Sequence, residues 1–443
     1  MSSYAAKSIS PEQAAALVKS GDWVDYSFCL GHPYAIDKAL AARRDELTDV
    51  NIRGGIVLRP LEVMECDPSL EHFAFHSWHM GGYERRMSDK GRCCYIPLTY
   101  QYMPRYYEKL LDVDVAFLSV TPPDNDGWFN FSLTNSASQA IIRKAKKVVL
   151  EINRRLPVIG GHENGVHIGE VDFVVESGDP ELPVLPVAAP SEIDQRIAAE
   201  VITQMRDGDV IQLGIGGLPN AIGQLLAESD LKDLGAHSEL LVDAFRVLAL
   251  SGRLTNRLKT FNYGQTVFTF GVGSADLYAW ARNNSSLLAL PVDRVNDPHI
   301  IGKQDTMISI NSCLEVDLFG QISAESIGSR QISGSGGQMN FALGAFESPH
   351  GKSFICCQST YLNKKTGKIA SRIVPTLTPG TIVTTPRFAS HCLVTEWGIA
   401  VLAGQSIWEK TARIISVAHP DFRDDLIKQA EALRIWRRSN KTR

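Results

Sequence analysis

Two stretches of the chain read alike: DGDVIQLGIGGLPNAIGQLL over residues 207–226 and SGDWVDYSFCLGHPYAIDKAL over residues 20–40. Each runs Gly-Asp, a short apolar strand, a loop, then Pro-x-Ala-Ile opening a helix. Pro33 aligns with Pro219, Ala35 with Ala221 and Ile36 with Ile222; the offset is 187 residues before the loop and 186 after it. A match in this order predicts two similar open α/β domains that arose by duplication and fusion. Between the copies lies GDPELPVLPVAAP, residues 178–190, with Pro180, Pro183, Pro186 and Pro190. Proline continues neither a helix nor a central strand. The expected boundary is therefore near residue 185, with an N-terminal domain over 1–185 and a C-terminal domain over 186–443.

Helix starts lead into both copies. Ser10-Pro11-Glu12-Gln13 carries an N-cap, a proline at the first turn and the glutamine of a capping box. Ser191 opens a second helix, whose Ile193, Ile197, Val201, Ile202 and Met205 share one face. Apolar runs rich in β-branched residues give strand candidates at 55–58, 113–120, 147–152, 171–175, 240–242 and 381–384. Helical segments alternate with several of them, the pattern of α/β domains with largely parallel, doubly buried sheets.

Composition narrows the function classes. The 443 residues are 44% hydrophobic and 21% charged with a net charge of -4, so the chain is an ordinary globular one without an electrostatic footprint for nucleic acid. Only the basic end WRRSNKTR departs from that balance. No window approaches the ~18 apolar residues of a membrane span. The start MSSYAAKSISPEQ lacks the apolar region of a secretory signal. Eight cysteines include the adjacent pairs Cys93-Cys94 and Cys356-Cys357 but no CxxC, which supports neither a disulfide framework nor a zinc site. These features predict a cytoplasmic protein with reduced thiols.

The glycine-rich loop Leu213-Gly214-Ile215-Gly216-Gly217-Leu218 follows a strand and opens a helix. Glycines let a ligand approach the backbone, and a helix start offers unpaired N–H groups with positive dipole character. Pro219 stands where a dinucleotide fingerprint needs its last glycine, and a Walker loop's Gly-Lys-Ser/Thr is absent. The pattern fits an oxyanion or anion site, or a tight turn without a ligand. A second cluster, Gly334-Ser335-Gly336-Gly337, reads as further N–H donors or as a surface loop. Glu239, in His237-Ser238-Glu239, precedes the apolar Leu240-Leu241-Val242 and is a candidate carboxylate, although it enters a strand rather than leaving one. His72, His76 and His79 are spaced for one helical face; their aromatic setting favours core packing over a metal site.

With these segments in view, the chain resembles the acetyl-CoA hydrolase/transferase family, a branch of the class I CoA-transferases, nearest the group acting on butyryl-CoA and 4-hydroxybutyryl-CoA. The resemblance runs through RGGIVLRP, YIPLTYQYMPRYY and VDVAFLSVTPPDNDGWFNF in the first half. In the second it runs through QLGIGGLPNAIG, LGAHSELLVDAF, the segment from Arg294 to Gly328, SGSGGQMNF and VTEWGIAVLAG. It implies an active site in a cleft between the two halves, with Glu239 as the catalytic carboxylate. It implies oxyanion and CoA contacts from Gly216, Gly217, Leu218 and Asn220 and from Gly334, Gly336 and Gly337, with Asn311 and Glu396 near the CoA side. Coenzyme A would be a substrate moiety, with no tightly bound cofactor and no metal. The partners would be an acyl-CoA and a carboxylic acid (butyrate, 4-hydroxybutyrate, acetate, or a dicarboxylate such as succinate or itaconate), in a homodimer or larger homo-oligomer. The same site could hydrolyse acyl-CoA, and an idle CoA-binding scaffold is a third class. Asn340, Trp397, Val401 and Ala403 depart from the family pattern, where an acid, a tyrosine, an acid and an arginine are usual. Tyr95, Tyr100, Met103 and Trp128 are candidate walls of an acyl pocket, or ordinary core.

Overall fold

The computed structural model describes residues 2–364, 366–437 and 439; most of the basic end WRRSNKTR lies outside them. The repeat read from the sequence begins with one turn made twice. Gly21 (φ 84°) and Gly208 (φ 80°) both take the left-handed backbone that glycine tolerates. The aspartate after each closes the turn on the N–H three residues upstream: Asp22 Oδ2 accepts from Lys19 at 2.8 Å, and Asp209 Oδ2 from Arg206 at 2.9 Å. Each aspartate's carbonyl then receives the N–H of a neighbouring strand, from Asn51 and Gly235, at 2.9 Å in both cases.

The chain forms two compact units. The first comprises Met1–Pro186, Glu239–Leu241 and Gln265–Val295; the second comprises Val187–Ser238, Val242–Gly264 and Asn296–Arg443. One boundary falls inside the proline-rich linker. The chain then returns to the first unit twice, so a single cut does not divide it, and Glu239 is grouped with the first unit. Pairing explains the return: Leu240–Leu241 pairs in parallel with Phe270–Gly271, and isolated bridges tie Thr134 to Phe270 and Gly161 to Ala289.

In the first unit seven parallel strands lie in the order Cys94–Tyr95, Phe73–Ser77, Val50–Gly54, Trp23–Asp25, Val115–Val120, Lys147–Ile152, Phe173–Glu176. All six residues of Val115–Val120 are buried, as a strand covered on both faces requires. In the second unit the order is Gly235–Ala236, Val210–Gln212, Met307–Ser312, Lys352–Cys356, Cys392–Thr395, Gly398–Val401, parallel except for the last pair. Each Gly-Asp strand has the chain's next strand on one flank and a later one on the other. That reversal of winding is the switch point where open α/β sheets place ligands, at the strands' carboxyl ends.

The capping box expected at Ser10 with Gln13 forms, and a second forms at Ser191 with Asp194, starting helices Pro11–Ala15 and Glu192–Ile202. Three expectations fail. His72, His76 and His79 flank or occupy the strand Phe73–Ser77, not a helix; the alternating burial of FAFHS follows period two. The strand expected at 55–58 ends at Gly54, and Ile56 (φ 50°) turns the chain. At 381–384 there is no strand, because the threonines act as hydrogen-bonding side chains: Thr381 Oγ1 accepts from Gly328 N–H at 2.8 Å and Thr384 Oγ1 from Ala324 N–H at 3.0 Å.

Candidate active site

The segment around Glu239 is a strand that breaks. Ala236 is the last residue paired with Val210–Gln212, and His237 N–H still reaches the Ile211 carbonyl at 3.2 Å. At Ser238 the side chain takes over, its hydroxyl lying 3.4 Å from the Leu213 nitrogen and donating to the Leu213 carbonyl at 3.2 Å. One residue later the partners change: the Glu239 carbonyl accepts N–H groups from Thr269 at 3.0 Å and Phe270 at 3.3 Å. Glu239 therefore both precedes Leu240–Leu241 and follows the carboxyl end of Gly235–Ala236. The sequence reading, with a strand at 240–242 only, does not include the strand Gly235–Ala236 and so shows only the first fact.

Glu239 is half-buried and near Tyr100, whose ring packs with Phe28 and Phe270. Phe28, Tyr100 and Phe270 have centroid separations of 5.5, 5.1 and 6.2 Å for Phe28–Tyr100, Phe28–Phe270 and Tyr100–Phe270. Burial, and after it the negative charge of Glu239, push the Tyr100 phenol well above its ordinary range, so it stays a neutral hydroxyl. That hydroxyl lies 2.6 Å from Ser136 Oγ. Ser27 (φ 60°), Cys29 (φ 52°) and Ser136 (φ 42°) hold left-handed backbone without being glycine, two of them flanking Phe28. Such conformations cost of order 1–3 kcal/mol each and persist where packing over-determines them, commonly at functional sites. Gly55 leaves room for Phe28: a Cβ there would stand 2.6 Å from its ring.

Of the expected acyl-pocket walls, Tyr100 is at the site. Met103 is fully buried in its helix, Tyr95 packs at the first sheet's edge, and Trp128 is 48% exposed on a separate 880 Å³ cavity. Sequence reasoning missed Phe28 and Phe270. A signal existed for Phe28, which occupies the repeat position of the second copy's glycine loop.

In the second unit the glycine loop borders a cavity of about 300 Å³ that also touches Cys313, Cys357, Gln358 and Arg372. Gly216 (φ 122°) starts the helix Gly217–Glu228, and a Cβ on Gly217 would stand 2.6 Å from Asp194 Oδ2. Leu218 is buried under the loop, and Asn220 spends its amide on the Ala188 carbonyl at 2.9 Å, tying the linker to the helix. Arg372, also absent from the sequence reading, brings a cation to this cavity while donating to the Leu314 carbonyl at 3.0 Å.

The other expected residues do not line this cavity. Gly334 and Gly336 (φ 51°) precede Gly337, which caps helix Gln338–Glu347; none of the three borders the 300 Å³ cavity. Asn311 exchanges hydrogen bonds with Gln212 at 3.0 and 3.3 Å, inside the sheet. The Glu396 carboxylate accepts from Ser359, Oγ at 2.5 Å and N–H at 2.9 Å, and so fixes the loop after Lys352–Cys356. Trp397 adds an indole N–H to the same Ser359 hydroxyl at 3.2 Å. Among the described residues, no group of three or more His, Cys, Asp or Glu could hold a metal, and no helix is long and apolar enough to cross a membrane.

This α/β frame is shared with known proteins. The chain belongs to the acetyl-CoA hydrolase/transferase family: the family's N-terminal domain matches residues 1–187 and its C-terminal domain residues 273–430. It is 46% identical over 441 residues to the butyryl-CoA:acetate CoA-transferase of Anaerostipes caccae, covering 99% of both chains. It is 42% identical over 440 residues to the probable butyrate:acetyl-CoA coenzyme A-transferase of Syntrophomonas wolfei, covering 99% of this chain and 98% of that one. The crystal structure of RipA from Yersinia pestis superposes with a TM-score of 0.90 at 32% identity, covering 98% and 99% of the two chains.

Proposed function

We propose that the protein is a CoA-transferase that exchanges coenzyme A between a short-chain acyl-CoA, such as butyryl-CoA, and a carboxylic acid, such as acetate, through Glu239. The observation that carries this reading is Glu239 itself: a half-buried carboxylate at the strand break, near Tyr100 in an apolar wall with Phe28 and Phe270. The similarity to the two butyrate-linked transferases supports the short chain.

A Glu239 carboxylate oxygen attacks the thioester carbon, and the C–S bond breaks to give a mixed anhydride and the CoA thiolate. The thiolate attacks the glutamyl carbonyl, releasing the first acid and leaving a glutamyl-CoA thioester. The acceptor carboxylate attacks that thioester and expels the thiolate again. The thiolate takes the new acyl group, and Glu239 is regenerated. Thioester energy is conserved throughout, and the kinetics are ping-pong. Each attack builds an oxyanion. The N–H groups of the Gly216-Gly217-Leu218 loop are the proposed donors, each worth about 2.7–4 kcal/mol when aimed at the developing charge. Both covalent intermediates hydrolyse in water, which the aromatic wall would limit.

The test separates transfer from hydrolysis. Butyryl-CoA is mixed with the protein, with and without acetate, and both acetyl-CoA and free thiol are followed. Acetyl-CoA formation that depends on acetate, with little free thiol, supports the reading; thiol release at an acceptor-independent rate would make the protein a hydrolase.

A further inference from the structure

Glu239 depends on a backbone that changes partners between two consecutive residues. On one side its carbonyl is bonded by Thr269 and Phe270; on the other, the ladder to Val210–Gln212 has ended at Ala236. A continued parallel ladder would pair the Ser238 backbone with the Leu213 region. The Ser238 hydroxyl meets Leu213 instead, 3.4 Å from its nitrogen and 3.2 Å from its oxygen, and Ser238 is completely buried. Leu213 is the first residue of the glycine loop.

We propose that Ser238 is a positioning residue for the transfer reaction: its hydroxyl bonds both backbone polar groups of Leu213 and so fixes the root of the glycine loop to the residue that precedes Glu239. The carboxylate nucleophile and the loop then share one anchor. The inference rests on Glu239 being the acyl-accepting carboxylate. Ala236 shows how closely the preceding backbone is held, since its carbonyl accepts from Lys259 Nζ at 2.8 Å and its N–H donates to Asn256 Oδ1 at 2.8 Å. Without the hydroxyl, the break at 237–239 keeps its outer restraints and loses the Ser238–Leu213 contact beside the nucleophile.

Ser238→Thr and Ser238→Val test this, because the two side chains have nearly the same shape and differ in the hydroxyl. The full-length proteins are mixed with butyryl-CoA in a single turnover, and the CoA adduct on Glu239 is followed by intact mass. Retention on a CoA affinity column and thermal midpoint are measured alongside. A hydrogen bond contributes about 0.5–1.5 kcal/mol, so loss of the hydroxyl is expected to slow adduct formation about 3- to 10-fold. Ser238→Thr should form the adduct at close to the parent rate. Both variants should bind CoA like the parent. Equal rates for Ser238→Val and Ser238→Thr would overturn the proposal, as would a valine defect confined to CoA retention. A parent protein that forms no adduct on Glu239 overturns the reading beneath it, and this inference with it.

Discussion

Replacing Gly217 with alanine should separate the glycine loop's packing from its flexibility. The new Cβ would stand 2.6 Å from Asp194 Oδ2, well inside the ordinary contact distance, so the carboxylate must move by most of an ångström. It is not free to do so cheaply. Asp194 Oδ2 accepts from Ser191 N at 3.0 Å and Ser191 Oγ at 2.8 Å, and Oδ1 accepts from Gln358 Nε2 at 3.0 Å. Losing the capping box costs about 1 kcal/mol, and a charge-assisted bond to Gln358 about as much again, so Gly217→Ala should lose about 2 kcal/mol. Asp194→Ala alone loses the same bonds. In that background Gly217→Ala meets no obstacle and gains some helix propensity, so the pair should be non-additive by about 2 kcal/mol. Urea unfolding of the four proteins gives the cycle directly. Additivity within about 0.3 kcal/mol would show that the Gly217–Asp194 approach is not what demands glycine.

Glu84 accepts from Val57 N at 2.7 Å and Gly81 N at 2.9 Å, and burial pushes it up to about 7 from 4.5. With the folded value raised, its stabilising contribution is present below pH 4.5 and lost as pH rises through 7, by about 3 kcal/mol; Glu84→Gln should flatten this part of the stability–pH curve. Lys259 moves oppositely, pushed down to about 7 from 10.5 by burial, so the unfolded chain holds the extra proton and stability should rise between those two pH values. Lys259→Met should remove that rise in pH-scanned melting. Tyr100→Phe deletes the hydroxyl shared with Ser136 beside Glu239; turnover is expected to fall about 10-fold, and an unchanged rate would place the phenol outside the chemistry.

What the sequence made legible was local. The Gly-Asp turn closes on an amide three residues away, the Ser10–Gln13 capping box spans four residues, and Lys147–Ile152 is a strand with the bounds its apolar run suggests. What it hid was non-local. Phe28 and Phe270 meet across 242 positions, and no periodicity announces such a pair. Glu239 was visible as a residue, and the resemblance to the family singled it out. Its place at a strand break was not visible, because residues 235–241 divide their pairing between Val210–Gln212 and Phe270–Gly271. The histidines at 72, 76 and 79 show the opposite failure: helical spacing appears by chance in a strand whose alternating phenylalanines, Phe73 and Phe75, were the truer signal.

The central claim is that Glu239 carries coenzyme A covalently. Incubating the protein with butyryl-CoA without an acceptor, reducing with borohydride and mapping peptides by mass tests it most directly. A CoA-sized adduct is expected before reduction and a modified Glu239 after it, both absent from Glu239→Ala, which should also lose turnover. An adduct on Cys313 or Cys357, or undiminished turnover in Glu239→Ala, would contradict it.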